Sequence, residues 1–434
     1  RRADGLGSSL ELVTPDAPPN EAESWRASLR YHGSPGSAGA ETDARVVINE
    51  ALSHSVNPTL DAIELHNPTA EPVDLAGWFL TDSDQSPLHY RSFTLPPATL
   101  PAGGYLTLDE SSFTSLPVHP VAGYSGAVAS PPTTVASPAH GLVDGQVITI
   151  EDYAGVGRYN GTFEVSVLDE NRFTIEAAFL DDDAFRGHWS RGRAFALSSS
   201  SGETLHLLAG NAAGQPTHFV DVVQFAAARE GESLGRWPNG SGNPSLVSMT
   251  AATMGAPNAP PQIGPVLITE VHYHPTRIPE NNFEFVELCN TGRQLENLAH
   301  WRLRGGVDFD FDSSHEIPPG GVLVVVGFDP VDDPAKALAF RETYGIDHTV
   351  PLVGPWDDGP LYNLSSTVRL QRPDLPPPGQ PGFHPQVTED ELVYFDQAPW
   401  PEAADGDGDS LQRLGPERFG PLATSWTAAP PSPG

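Results

Sequence analysis

The chain is predicted to be all-β, made of tandem β-sandwiches of which the first is interrupted by a small β-barrel or roll, with one short helix near 333–344. Three observations carry this expectation. One phrase is written twice: Ile48-x-Glu50, Ile63-Glu64-Leu65-x-Asn67 and Leu75-x-x-Trp78-x-Leu80 return as Ile268-x-Glu270, Val286-Glu287-Leu288-x-Asn290 and Leu298-x-x-Trp301-x-Leu303. An ordered duplication of this kind means two homologous units in tandem. Within each unit the apolar residues alternate over strand-length runs broken by Gly, Pro and Asn, a pattern of sandwiches and not of helical or parallel α/β units. Finally, the residues from 115 to 193 have no counterpart in the second copy.

A third trace of the repeat lies at the N-terminus. Asp4, Gly5, Gly7, Ser9, Leu10, Pro15, Ser24, Trp25 and Ala27 fall at constant offset on Asp405, Gly406, Gly408, Ser410, Leu411, Pro416, Ser425, Trp426 and Ala428. Residues 1–40 are therefore expected to be the closing segment of a preceding repeat, and the sequence to be an excerpt of a longer multidomain protein.

The first complete unit comprises 45–114 plus 194–258. Its strands are expected at Val46–Leu52, Ala62–His66, Trp78–Thr81 and Tyr105–Leu108, the last after the turn Pro101-Ala102-Gly103-Gly104. They resume at Phe195–Leu197, Thr204–Leu208 and Phe219–Phe225, and the unit closes with Ser233-Leu234-Gly235-Arg236 and Gly255-Ala256-Pro257-Asn258. The inserted unit, 115–193, alternates turn and strand: Ser137 to Gly145, Val147–Ile150, Tyr159 to Phe163, Val165–Leu168 and Phe173–Ile175. That spacing fits a compact barrel or roll of about five strands. Insertion into a loop is tolerated where the ends of the insert lie close together.

The second unit, 265–434, carries the one good helix signal. Asp333 caps it, Pro334 opens the first turn, Ala337, Phe340 and Tyr344 share a face, and Gly345 stops it. The helix is expected over an edge or end of the sandwich. The Pro-rich run Arg372 to Pro381 reads as a loop, and Leu392–Phe395 as the counterpart of Val220–Phe225.

With 434 residues the length prior allows two to four domains. There are 45 Pro and 42 Gly, which suits strands and turns, and no apolar stretch reaches the roughly 18 residues of a membrane span. The balance of 56 acidic and 23 basic residues gives a net charge of −33, and Lys336 is the only lysine. Such a surface repels phosphate backbones, so nucleic acid is excluded as a partner class. The same acidity fits a secreted or cell-surface protein in a salty or calcium-containing medium. Cys289 stands alone, which forbids an intrachain disulfide.

On these residues both complete units resemble the lamin tail domain, an immunoglobulin-like β-sandwich. The resemblance rests on Ile-x-Glu, Ile-Glu-Leu-x-Asn, Val73-Asp74-Leu75-x-Gly77-Trp78-x-Leu80, Leu100-Pro101-Ala102-Gly103-Gly104-Tyr105 and the closing Ser-Leu-x-Arg to Pro-Gly phrases. In the second copy Glu296-Asn297 replaces the Val-Asp pair and Ala299-His300 loses the Gly, a departure expected to weaken one turn. The insert resembles a small β module of phage structural proteins and bacterial surface proteins. What the resemblance implies is a non-enzymatic module of a large exported bacterial protein; it supplies no ligand.

Most enzyme motifs are missing: there is no His-Glu-x-x-His, Gly-x-x-x-x-Gly-Lys, Gly-x-Gly-x-x-Gly or Cys-x-x-Cys. Glu50 with Glu64, and Glu270 with Glu287, fall on strands expected to be neighbours, at the spacing a glycosidase pair needs. A sandwich face is not a cleft, so bonding to backbone or Arg is the expected role. Glu270, His272 and His274 share a strand face and are candidate metal ligands. Pro275 ends that strand and the sister domain has Leu52 and His54 there, which favours a turn with a solvent-facing His. Asp405, Asp407 and Asp409, spaced by glycines, form the first half of a calcium loop. Pro416 stands where an EF-hand needs Glu, and only Asp4 persists in the N-terminal trace, so a glycine-supported turn is favoured over calcium. Asp181 to Asp183 and Asp308, Asp310 and Asp312 read as solvated turns. Trp25, Trp78, Trp301 and Trp426 occupy repeated positions and read as core or edge packing.

The expected function is a structural, adhesive or spacer module with no catalytic residues and no cofactor unless calcium binds. Its expected partners are neighbouring domains of the same polypeptide and an extracellular polymer or protein. The alternative is an accessory targeting or carbohydrate-binding module for an enzyme whose catalytic domain lies outside this chain.

Overall fold

The computed structural model describes residues 8–12, 25–30, 33–36, 45–56, 59–82, 92–113, 118–151, 159–180, 187–191, 196–211, 216–238, 245–357 and 359–434. It divides into two compact units, Arg1–Pro260 and Pro261–Gly434.

In the first unit, a five-stranded sheet runs in the order Val247–Ser248, Leu234–Gly235, Val47–Leu52, Ala62–His66 and Tyr105–Asp109. A four-stranded sheet runs Pro216–Phe225, Glu203–Gly210, Phe79–Thr81 and Ser92–Thr94. Ile48, Ile63 and Leu65 from the first sheet meet Leu80, Leu205, Leu207 and Val223 from the second in one core, with Trp78 and Phe113 filling it. Alternation along each strand sends these residues inward, as a half-buried strand requires. Asn49 lies at a register shift between Ile48 and Glu50. This bulge bends the strand and re-aims the side chains beyond it, so that Ile48 and Ala51 both enter the core. The second unit has the same shift between Ile268 and Glu270, which gives the Ile-x-Glu phrase its physical meaning.

The described residues between 118 and 190 form a separate sheet of seven strands, against the roughly five expected, around Val121, Ile148, Ile150, Phe173 and Trp189. The chain from Val118 to Ser125 serves two neighbours: Val121 N donates to Gly187 O and Ala122 N to Ala136 O. Gly161–Asp169 is likewise shared, pairing with Val147–Glu151 through its first half and Arg172–Ile175 through its second. The two shared segments close the sheet on itself. Thr162 and Phe163, expected in a turn, are part of that long strand. The first and last strands of the barrel pair directly, Val118 opposite Ser190.

Two further expectations fail here. Phe195 lies outside the described residues, and Ala196 and Leu197 are not in a strand. The four-residue helix Glu110–Phe113 was not foreseen; it drives Phe113 into the core.

The second unit repeats the sandwich. Its six-stranded sheet runs Leu352–Val353, Val322–Val326, Phe285–Asn290, Val266–His272, Ser410–Arg413 and Trp426–Ala429. Its four-stranded sheet runs Phe309–Asp310, Arg302–Gly305, Ser365–Pro373 and Gln386–Phe395. The strand Ser365–Pro373 thus takes in Arg372 and Pro373, which were assigned to a loop. The helix spans Pro334–Tyr344, with the Asp333 side chain accepting from Lys336 N and Gly345 in the left-handed conformation at φ 68°. It lies on one face of the large sheet, toward the edge strand Leu352–Val353. Phe340 packs on Phe285, Val324, Val326 and Phe328, the outer face of the large sheet. Leu323 and Val325 face the core, so the run Val322–Val326 is covered on both sides.

The turn expected to weaken is intact. Asn297 Oδ1 accepts from Ala299 N at 3.0 Å as Asp74 Oδ1 does from Ala76 N at 3.0 Å. His300 takes the left-handed place of Gly77, at φ 64° against 78°. Its ring stacks on His384, 4.5 Å between centroids.

Candidate functional site

Each sandwich places two glutamates side by side. Glu50 is opposite Glu64 and Glu270 opposite Glu287, all four buried. Paired carboxylates out of water are unfavourable unless donors surround them. Most of those donors come from the segment that closes each sandwich, the others from the bulge residues Asn49 and Thr269. Glu50 accepts from the Ser233 hydroxyl, from Thr253 N at 2.8 Å and from Thr253 Oγ1 at 2.8 Å. Glu64 accepts from Asn49 Nδ2 at 2.9 Å and from Gly255 N. In the second sandwich Glu270 accepts from Ser410 Oγ at 2.5 Å and Ser432 N at 2.9 Å, while Glu287 accepts from Thr269 Oγ1 at 2.5 Å and Gly434 N at 2.6 Å. Thr253-x-Gly255 and Ser432-x-Gly434 are thus the same clasp. Burial raises the Glu64 carboxyl above its ordinary value, and burial reinforced by the charge of Glu287 pushes Glu270 up to about 6. The pairs lie under the clasp and not in an open cleft, as the backbone-bonded reading expected.

A second repeated pair escaped the sequence reading. Arg236 meets Asp221 at 2.6 Å, and Arg413 meets Asp390, with all four side chains largely buried. Asp221 Oδ2 accepts from Ile48 N at 2.7 Å while Arg236 Nε donates to Ile48 O at 3.1 Å. Asp390 Oδ2 accepts from Ile268 N at 2.8 Å while Arg413 Nη1 donates to Ile268 O at 3.0 Å. Each pair ties one sheet to the opening strand of the other and satisfies both polar groups of one buried isoleucine. The signal was partial: Asp221 falls within Val220–Phe225 and Asp390 just before its counterpart Leu392–Phe395, but neither position names its partner.

The repeated Asn of Ile-Glu-Leu-x-Asn also has a role. Asn67 Nδ2 donates to Glu71 O at 2.8 Å and Leu100 O at 3.1 Å; Asn290 Nδ2 donates to Gln294 O at 2.7 Å and Ile317 O at 2.8 Å. Trp78, Trp301 and Trp426 are core residues, whereas Trp25 is partly exposed.

The metal candidates are not brought together. His272 is not solvent-facing: it is buried beneath the helix, its Nδ1 3.1 Å from Tyr344 Oη, and burial pushes it down to about 4. The strand does end before Pro275, but the helix covers what the strand leaves open. His274 Nδ1 lies 2.6 Å from Asp405 Oδ1. Gly406 and Gly408 turn the backbone at φ 80° and 104°, and Asp407 is exposed. Among the described residues no three His, Cys, Asp or Glu side chains come together as a metal site requires. Asp308 and Asp310 pair with Arg304, and Asp312 with His315. Asp181 to Asp183 lie outside the described residues.

One titratable group was not anticipated. Glu284 is buried, its Oε2 accepts from Leu361 N at 3.0 Å, and its Oε1 has no hydrogen-bond partner among the described residues. Burial, with the neighbouring charge of Glu280, pushes it up to about 8, so it keeps its proton at neutral pH.

Residues 40–156 and 259–352 match the family model of the Lamin Tail Domain. The chain carries two lamin tail domains. They are immunoglobulin-like β-sandwiches, a non-catalytic fold family, and the glutamate clasps and Arg–Asp ties are the repeated polar framework of these two copies. The second match stops before the strands Ser365–Pro373 and Gln386–Phe395, yet these and the closing hairpin have their equivalents in the first lamin tail domain. No curated protein matches the chain. Among solved structures, a DUF4876 family protein from Bacteroides thetaiotaomicron is similar at 8% identity and TM-score 0.25, over 66% of this chain and 88% of that one. The phage phi92 endosialidase is similar at 10% identity and TM-score 0.17, over 80% of this chain and 57% of that one. At these scores neither likeness bears on activity. No helix among the described residues is long and apolar enough to cross a membrane, which says nothing of strands.

Proposed function

We propose that the chain is a non-enzymatic structural module of a secreted or cell-surface bacterial protein, serving as a spacer or adhesive element, with sandwiches at 45–114 plus 194–258 and at 265–434 and an inserted barrel at 115–193. One observation carries the reading: the paired glutamates, repeated in both sandwiches, are engaged by the closing segments Thr253–Gly255 and Ser432–Gly434. Residues repeated for that purpose serve the fold. The net charge of −33 and single lysine favour an extracellular setting. Contact with a neighbouring domain, a polymer or another protein then falls to surfaces and sheet edges.

The alternative, a carbohydrate-binding or targeting module for a catalytic domain elsewhere, is separated by a glycan array probed with the labelled full chain. Absence of dose-dependent binding is expected. Saturable binding to one glycan class would replace the spacer reading.

A further inference from the structure

The N-terminal hairpin has the form of a lamin tail closing hairpin with its core side turned to solvent. In the second lamin tail domain, Ser410–Arg413 pairs with Trp426–Ala429, Leu411 opposite Ala428 and Arg413 opposite Trp426. At the N-terminus Leu10–Leu12 pairs with Trp25–Ala27, Leu10 opposite Ala27 and Leu12 opposite Trp25. The correspondence of Leu10 with Leu411 and Trp25 with Trp426 therefore holds in three dimensions, residue for residue. Their surroundings differ: Leu411 and Trp426 are 0% and 4% exposed, Leu10 and Trp25 are 61% and 38% exposed.

The missing neighbour can be named from the second domain. There Ser410–Arg413 pairs on its other side with the opening strand, Leu411 opposite Val271 and Gln412 opposite Glu270. Among the described residues Leu10–Leu12 is in a two-stranded sheet with Trp25–Ala27 alone. The hairpin is nonetheless held in place, because Phe219 N donates to Leu29 O at 2.7 Å and Arg30 bridges to His218. It is thus anchored to the first unit by its tail, while among the described residues no strand pairs with the other edge of Leu10–Leu12, and Leu10 and Trp25 are exposed.

We propose that this hairpin closes a third lamin tail sandwich body, pairing its Leu10–Leu12 edge with that body's Ile-x-Glu strand and burying Leu10 and Trp25 in its core. Both bodies in this chain are already closed, one by Leu234–Gly235 with Val247–Ser248 and the other by Ser410–Arg413 with Trp426–Ala429, so the complement is neither of them. Leu12 refines the partner. It stands where Arg413 reaches Asp390 and Ile268 O, so a body with a buried aspartate at that position would be left with an uncompensated charge. The fitting body carries an uncharged residue there. Glu11, in the place of Gln412, comes with its own countercharge, Arg26 Nε at 3.2 Å. Backbone pairing at an edge gives the affinity and the two apolar side chains give the register.

The test uses the full chain. Leu10→Asp is expected to leave the melting transition of the first unit within about 1 °C, as substitutions at exposed positions do, while Leu411→Asp removes the transition of the second. A fall of the first transition comparable to the loss in Leu411→Asp would show that the hairpin belongs to the first unit's own core and would overturn the proposal. The full chain carrying Leu411→Asp then receives peptides. A peptide of residues 405–434 and a peptide of residues 4–30 with Leu12→Arg, matched to Asp390, are both expected to restore the lost transition, and the latter with Leu10→Asp is not. Restoration by 405–434 but not by 4–30 with Leu12→Arg would equally overturn it.

Discussion

Glu270 faces Glu287 across adjacent strands, and Ser432 and Gly434 hold the two carboxylates there. A pair of acids has become a fastening point. Its energetics depend on pH, on the donors that reach it and on the ion pair one strand away.

The second unit should lose stability as pH rises from about 5 to 8.5, less steeply below pH 6.5, where His272, pushed down to about 4, works the other way. Glu270 and Glu284 are pushed up to about 6 and about 8 from an ordinary 4.5, so the fold binds protons that the unfolded chain has released. Their contribution is fully present below 4.5 and is lost through about 6 and about 8 respectively. Each pH unit inside a group's window is worth about 1.4 kcal/mol. Calorimetry from pH 5 to 8.5 should show the second transition falling, and Glu284→Gln should flatten the part above pH 6.5. A wild-type transition indifferent to pH would contradict this account.

Arg413→Ala should cost about 3–5 kcal/mol, because Asp390 stays buried without its countercharge and Ile268 O loses a donor. Arg413→Ala with Asp390→Asn should cost less than the sum of the single changes. Urea unfolding of the three variants measures it. Simple additivity would mean that the two residues are not coupled.

Thr253→Ala removes one of the bonds to Glu50 and should lower the first unit by about 1 kcal/mol. Limited proteolysis should then cut first between Thr253 and Asn258, before any core strand. Unchanged cleavage order would show that the clasp does not hold this segment.

His300→Gly should raise the second unit by about 0.5–1 kcal/mol, because a non-glycine residue at φ 64° is strained and the first domain uses Gly77 at that place. The lost stack on His384 works against the gain, and denaturant midpoints give the balance. A loss of stability would mean that the stack outweighs the strain.

Millimolar calcium, compared with chelator, should leave both melting transitions in place. Asp405 is already paired with His274, and a ligand that binds only the fold must raise a midpoint. A rise of several degrees would assign the turn at Asp405 to Asp409 a metal after all.

Much of the fold was written locally. The Ile-x-Glu phrase encodes a bulge, Asp333 and Gly345 delimit the helix, and three of the four repeated tryptophans mark cores. Asp221 and Asp390 were not legible because their partners lie on another sheet and arrive only through topology. The position of the helix could have been found: five apolar residues in a row at Val322–Val326 signal a strand buried on both faces, which requires a cover. His272 was misjudged for the same reason, since Pro275 ends a strand but says nothing of what packs above it. At Asn297 the change from aspartate kept the one oxygen the turn uses.

The direct pairing of Val118 with Ser190 holds the two ends of the barrel at the spacing of adjacent strands. Only that spacing is imposed on the host sandwich, so an insert of another sequence with the same distance between its ends should leave the host's strands in place.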